Sequence, residues 1–339
     1  MRVLARYLAL ASVVGLVLPL AGCTGSARTQ ITVASLPSAF PAPMYVAERD
    51  GTFEREGLEV TIVELQSGAD GVAAAVSGSA QIADIGFDDL VTLAEEGEEG
   101  LVMVHNLVRR VTLALVMDQE VARERGVSRS SPLPERYAAL RGLRLGVTSP
   151  GAASDRYLRY YLREAGLDPE RDAEIIAIGD GSSLLAALET DQIDAYQLSP
   201  PTPYVAEAEG FGTILIDGAA GDVPALADFA YTGFAANREW ARGNPDAVRA
   251  FTRALDTAME TVRADAAATA EQIADRMSED DVGILRRTLE ALMPALSTDG
   301  CFEAEAVRTT LTTMHDIGIT PAAGDPAESA LWTNEYNDC

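Results

Sequence analysis

The sequence predicts an α/β protein built from two units, each a mainly parallel sheet flanked by helices. Apolar runs of strand length alternate with helical patterns across the first two thirds of the chain, as crossover connections require. That rhythm breaks once, at residues 120–141, a charged stretch holding Pro132 and Pro134, which reads as a linker or inserted surface segment. With 339 residues, 47% of them hydrophobic, the chain can bury a large core, and its length suggests about two domains.

In the first unit the strand-like runs are 31–34, 60–65, 82–85, 102–106 and 112–117. Helical patterns at 43–49, 70–77 and 88–95 lie between the first four, with Gly51, Gly57 and Gly78 as breakers. In the second unit, strands at 143–147, 174–178, 195–198 and 213–216 alternate with helices at 153–165, 182–189 and 202–209. Residues 229–236 read as a strand returning to the first unit. From Pro245 onward the pattern is helical, at 247–263, 267–277, 281–293 and 302–317, and these helices are expected to pack on the first unit.

The amino terminus reads as an export leader. Arg2 and Arg6 precede an apolar stretch, 8–20, too short to span a hydrocarbon core of roughly 30 Å as a helix. Leu20-Ala21-Gly22-Cys23 looks like a bacterial lipobox, so cleavage is expected after residue 22, with lipid on Cys23. The alternative is an ordinary leader with an incidental cysteine. Residues 24–29 are small and polar, as a tether would be. The expected location is extracytoplasmic, on the outer face of the cytoplasmic membrane or in the periplasm, held by lipid.

Net charge is −26, and −28 once Arg2 and Arg6 are lost, which argues against a nucleic-acid partner. All 26 basic residues are arginine; without lysine, Schiff-base chemistry and Walker-type phosphate loops are excluded. Beyond Cys23, Cys301 and Cys339 make an even pair in an oxidising compartment. Either they form a disulfide that pins the tail, or both remain thiols.

His105 and His315 lack any ligand spacing, so neither a metal site nor a cofactor is expected. Gly179-Asp180-Gly181 lacks the third glycine of a dinucleotide fingerprint and reads as a turn; Glu95-Glu96-Gly97-Glu98-Glu99 reads as a solvated loop. The informative residues follow the strands, where open α/β sheets bind ligands. In the first unit these are Ser38 and Phe40, then Gly68 after Gln66-Ser67, then Phe87 and Asp88. In the second they are Thr148, Ser149, Gly151, Ala152 and Ser154 ahead of a long helix, and Ser199. Free N–H groups and hydroxyls before that helix are expected to converge on a ligand acceptor.

Several segments together resemble the binding-protein family that serves nitrate, sulfonate, taurine and thiamine-precursor ABC importers. They are Tyr45-Val46-Ala47-Glu48-Arg49-Asp50-Gly51-Thr52-Phe53, Glu56-Gly57-Leu58-Glu59-Val60, Gly78-Ser79-Ala80-Gln81-Ile82-Ala83, and Ala186-Ala187-Leu188 with Gln192-Ile193-Asp194-Ala195. The similarity covers about residues 30 to 320.

The resemblance implies a two-lobed periplasmic-binding-protein type II fold with a two-strand hinge, lobe 1 comprising 30–117 and 235–339 and lobe 2 comprising 118–234. It also implies a non-enzymatic monomer that encloses a small organic molecule between the lobes and presents it to an ABC permease. A ligand-binding sensor subunit is the alternative. The family's thiamine-pyrimidine synthase branch needs a lysine this chain lacks.

Leu198-Ser199-Pro200 and Asp88 depart from the family pattern. Asp88 either faces the cleft, favouring a cationic or donor-rich ligand over sulfonate or nitrate, or it or Asp89 caps the next helix. Phe40, Phe87 and Tyr231 either sandwich a flat ligand or belong to the core.

Overall fold

The computed structural model describes residues 28–36, 38–65, 68–276, 281–320, 324 and 327–339. The export leader, Cys23, Pro37, Gln66 and Ser67 lie outside the described residues. The chain starts with β1 (Thr29–Ser35), α1 (Ala42–Arg49), α2 (Thr52–Arg55), β2 (Leu58–Glu64), α3 (Gly68–Ser77), β3 (Ile82–Gly86), α4 (Phe87–Glu95) and β4 (Leu101–Val108). It continues through β5 (Ala114–Asp118), α5 (Gln119–Arg125), α6 (Leu133–Ala138), β6 (Arg144–Val147), α7 (Ala153–Glu164), β7 (Glu174–Ala177), α8 (Gly181–Glu189), β8 (Ala195–Leu198), α9 (Thr202–Glu209) and β9 (Gly212–Asp217). Then follow β10 (Thr232–Asn237), α10 (Arg238–Gly243), α11 (Pro245–Ala264), α12 (Ala266–Ile273), α13 (Val282–Leu292) and α14 (Ala304–Asp316).

These strands form two five-stranded sheets, ordered β2-β1-β3-β10-β4 and β7-β6-β8-β5-β9. In each, the first three strands run parallel, and one strand arriving from the other lobe, β10 or β5, pairs antiparallel on both sides. The expected strand at 112–117 is therefore in the second sheet, not the first. There it pairs antiparallel with β8 on one side and β9 on the other, which satisfies its backbone groups along both edges. The lobe boundary consequently falls at 109–113.

Residues 120–141 form no linker. They hold α5 and α6, in which Glu120, Arg123, Glu124, Arg125 and Glu135 are exposed while Arg136 and Tyr137 are buried. The Asp118 carboxylate caps α5 by accepting from the Glu120 and Val121 amides, both at 2.9 Å, and Pro134 occupies the first turn of α6, where its missing N–H costs nothing.

Two crossings join the lobes, 109–113 outward and 218–231 on return, and they bond to each other. Gly218 N donates to Leu113 O at 3.1 Å, Val111 N to Leu226 O at 3.2 Å, and Phe229 N to Arg109 O at 3.0 Å. Arg110 clamps the return path by donating to Ala219 O and Ala227 O. A Cβ at Gly218 would lie 2.3 Å from Val111 O and 2.7 Å from Leu113 O, so the crossings approach at a distance only glycine permits.

The C-terminal helices serve both lobes, not the first alone. Helices α11 and α12 cover α1, but α13 reaches α9, with Arg287 near Glu207 at 3.7 Å and Ile284 packed in the lobe 2 core. Arg163 on α7 donates to Ile317 O at the end of α14. The tail then covers the outer edge of β4: Met103 N donates to Leu331 O and Thr333 N to Met103 O. An exposed edge strand is thereby paired. Cys301 and Cys339 are disulfide-bonded, with Cα atoms 6.1 Å apart, and fasten this cover.

A crosslink separated by 38 residues restricts the unfolded chain by about 3 to 4 kcal/mol in the loop-entropy account. Cys339→Ser is expected to lower the unfolding free energy by about 2 to 4 kcal/mol in urea titrations; an equal loss on reducing the wild type would assign the effect to the bond rather than to the serine.

Candidate functional site

In lobe 1 β3 leads into α4, in lobe 2 the loop after β6 leads into α7, and the first turns of these two helices meet between the lobes. The centre of the site is an ion pair that joins the lobes. Arg156, one turn into α7, donates through Nε to Asp88 Oδ2 at 3.0 Å, through Nη2 to the same oxygen, and through Nη2 to Asp89 Oδ1 at 2.8 Å. Its Nη1 reaches Gly151 O at 2.5 Å. Asp88 and Asp89 sit in the first turn of α4, where the helix N-terminus favours negative charge.

Asp88 is fully buried, and its Oδ1 has no hydrogen-bond partner. Gly86, not either aspartate, is the helix cap, and its lack of a side chain makes room for Asp88: a Cβ there would lie 2.4 Å from Oδ1. Burial and the neighbouring Asp88 charge push Asp89 up to about 6, against the pull of Arg156. Burial opposes the charge on Arg156, but the two carboxylates hold it well above the usual arginine value.

Two tyrosines lie beside this pair. Tyr231 stands edge-on to Phe40 at 6.4 Å and to Tyr157 at 6.1 Å, and Tyr157 contacts Phe229 of the return crossing. Burial, then the Asp88 charge, raise the hydroxyl pKa of Tyr157 and Tyr231, so both stay neutral. Ser199 lies beside the Tyr231 hydroxyl. The Tyr157 hydroxyl and Ser38 Oγ are buried without partners. Gly68, opening α3, lies next to Asp89.

Of the residues expected at the site, the structure therefore sets Gly68 and Asp88 at the ion pair, with Tyr231 within reach of the Asp88 charge, Ser199 beside the Tyr231 hydroxyl and Phe40 edge-on to that ring; Ser38 lies two residues before Phe40 in the chain. Phe87 is not among them: it is 1% exposed and packs on Phe302 at 6.3 Å in the lobe 1 core, while its amide ties α4 to Tyr231 O at 2.8 Å. The loop before α7 also differs from expectation. Thr148 N and Thr148 Oγ1 both bond Ser154 Oγ, and Gly151 N donates to Asp155 Oδ2 at 2.8 Å. These groups satisfy one another instead of converging on a ligand. Ser149 is exposed and, with Ala152, the N-cap residue of α7, forms a turn.

Sequence reasoning missed Arg156 and Tyr157. They lie one turn beyond the loop it singled out, and nothing local shows that Arg156 reaches 68 residues back to Asp88.

The NMT1-like family matches residues 24–278, about three quarters of the sequence. The chain belongs to this family. Its fold is the periplasmic-binding-protein fold. The alkanesulfonate-binding protein SsuA of Xanthomonas axonopodis pv. citri, solved bound to MOPS, superposes with a TM-score of 0.70 at 17% identity, covering 88% of this chain and 96% of that one. The periplasmic nitrate-binding protein NrtA of Synechocystis PCC 6803 gives the same score and identity over 88% and 84%. The protein YtlA of Bacillus subtilis is 24% identical over 267 residues, 77% of this chain and 75% of its own length.

In this family member a second buried carboxylate supports the loop that carries Ser38 and Phe40. Asp84 accepts from Ser35 Oγ at 3.2 Å, and the Tyr45 hydroxyl donates to Leu36 O. Burial raises Asp84 to about 7, opposed by the Ser35 bond. The folded state thus binds a proton that the unfolded chain releases near pH 4, so this contribution to stability is present below about pH 4 and lost as pH rises through about 7. Asp84→Asn is expected to gain about 2 to 4 kcal/mol relative to wild type between pH 4.5 and pH 8, measured by urea unfolding at both values; a constant difference would contradict the raised value.

Proposed function

We propose that this protein is the extracytoplasmic solute-binding component of an ABC importer, capturing a small organic molecule between its lobes and delivering it to the membrane permease. The observation that supports this most directly is the convergence of buried polar groups and rings from both lobes and the hinge: Asp88 from lobe 1, Arg156, Tyr157 and Ser199 from lobe 2, and Tyr231 at the return crossing with Phe40 against it. Asp88 Oδ1 and the Tyr157 hydroxyl are buried there without a partner, and a ligand is one way such an atom gains its missing bond. The match to a family that includes nitrate- and sulfonate-binding relatives supports the same reading.

The mechanism is a shift of a two-state equilibrium. Ligand touching groups on both lobes binds the closed arrangement more tightly than the open one, and that differential affinity drives closure. Bending is confined to the two crossings, and no covalent step is assigned. On this reading the closed face is what a permease recognises, while lipid on Cys23 keeps the carrier beside it; among the described residues no helix is long and apolar enough to cross a membrane.

Saturating ligand is expected to lower the radius of gyration in solution scattering. At 100 times its dissociation constant it should also add about 2.7 kcal/mol to stability; a bound ligand that leaves the scattering profile unchanged would contradict closure. In the native host, Cys23→Ala is expected to move the protein from the membrane fraction to the soluble one, and continued membrane retention would remove the lipid anchor from the proposal.

A further inference from the structure

The charge of the cleft selects between classes of ligand. Two carboxylates, Asp88 and Asp89, meet one guanidinium, and among the described residues Arg156 is the only cation paired with either. Its donors are engaged on both carboxylates and on Gly151 O. With both aspartates ionised, the centre carries a net charge of about −1 in surroundings of low polarity, where charge is felt strongly. An anion entering there adds a like charge and finds no free cation.

The hydrogen-bond inventory has the same sign. Asp88 Oδ1 is an acceptor, fully buried and unpartnered, and an ionised carboxylate can only accept. Space for that oxygen exists because residue 86 is glycine. The buried, unpartnered Tyr157 hydroxyl lies close enough to feel the Asp88 charge, as does that of Tyr231, and aromatic rings beside a buried carboxylate suit a cation or the apolar body attached to one.

We propose that the cleft takes a small organic cation carrying N–H donors, an ammonium or amidinium group, with Asp88 as its principal partner and Asp89 as the second carboxylate. Arg156 then acts as a resident stand-in for the ligand's charge, bridging the lobes through Asp88 Oδ2 and Asp89 Oδ1 and leaving Asp88 Oδ1 to the ligand. This inference rests on the solute-binding reading and specifies the ligand for that same site.

The test is calorimetric titration of the purified protein with methylammonium, agmatine and benzamidinium against nitrate, methanesulfonate and MOPS at matched ionic strength, each bound compound then examined by solution scattering. At least one cation is expected to bind and compact the protein, and the anions are expected to behave as chloride does. Asp88→Asn should weaken the cation by on the order of 10- to 100-fold while retaining a cooperative melt. Arg156→Gln should bind it as tightly as wild type or better.

Binding of nitrate or a sulfonate that Arg156→Gln abolishes would overturn the cation assignment and leave the solute-binding reading intact. Failure of all three cations to bind would overturn it equally. Should Arg156→Gln fail to fold, stabilisation of the wild type by an anion beyond chloride decides against the proposal. Ligand that binds without compaction would instead overturn the solute-binding mechanism itself.

Discussion

The contact on which the arrangement of the two lobes depends is the Arg156 bridge to Asp88 and Asp89. Three charges are held largely away from water, at a desolvation cost that only close, directed partners offset. The geometry supplies them: a carboxylate pair at a helix N-terminus, where the peptide dipoles favour it, and a guanidinium able to address two carboxylates at once. Because one partner belongs to each lobe, this pair reports on cleft geometry as well as on stability. Loss of one member leaves an uncompensated buried charge, commonly a cost of about 3 to 5 kcal/mol.

The hinge determines which motion that pair can control. Two crossings hydrogen-bonded to each other, with Gly218 at the closest approach and Arg110 holding the return path, leave few backbone positions able to absorb a change of angle. The aromatic residues Phe229 and Tyr231 lie on that return path and touch Tyr157. Ring contacts at the cleft therefore connect directly to the segment that bends. Helices α13 and α14 add lobe 2 contacts from a C-terminal region otherwise seated on lobe 1, which makes closure a change in several packed surfaces and favours discrete states over a continuum.

Composition shapes how the charges are used. The chain is strongly acidic and its cations are all arginine, and arginine's planar fork serves buried and multi-partner sites better than an ammonium would. Arg136 shows the same use in lobe 2, donating to Leu215 O at 2.8 Å and to Asp222 at 3.1 Å from a buried position. Surface pairs such as Arg123 with Glu120 contribute little by comparison, since solvent screens them.

Local pattern by itself determined the α/β class and nearly all of the strands and helices, because alternation of short apolar runs with amphipathic stretches is a property of neighbouring residues. It also singled out Asp88, Ser199 and Tyr231, which the structure sets near one another, since strand ends in such sheets face a common crevice. It put β5 in the wrong sheet and, reading 120–141 as a linker or inserted surface segment, did not find the two short helices there; sheet membership is decided by partners distant in sequence. Tertiary structure alone decided that Phe87 belongs to the core, that Thr148 and Ser154 bond each other, and that Arg156 meets Asp88. Those outcomes turn on side-chain direction across a gap between lobes, and no local periodicity encodes which of several arginines on one helix will face that gap.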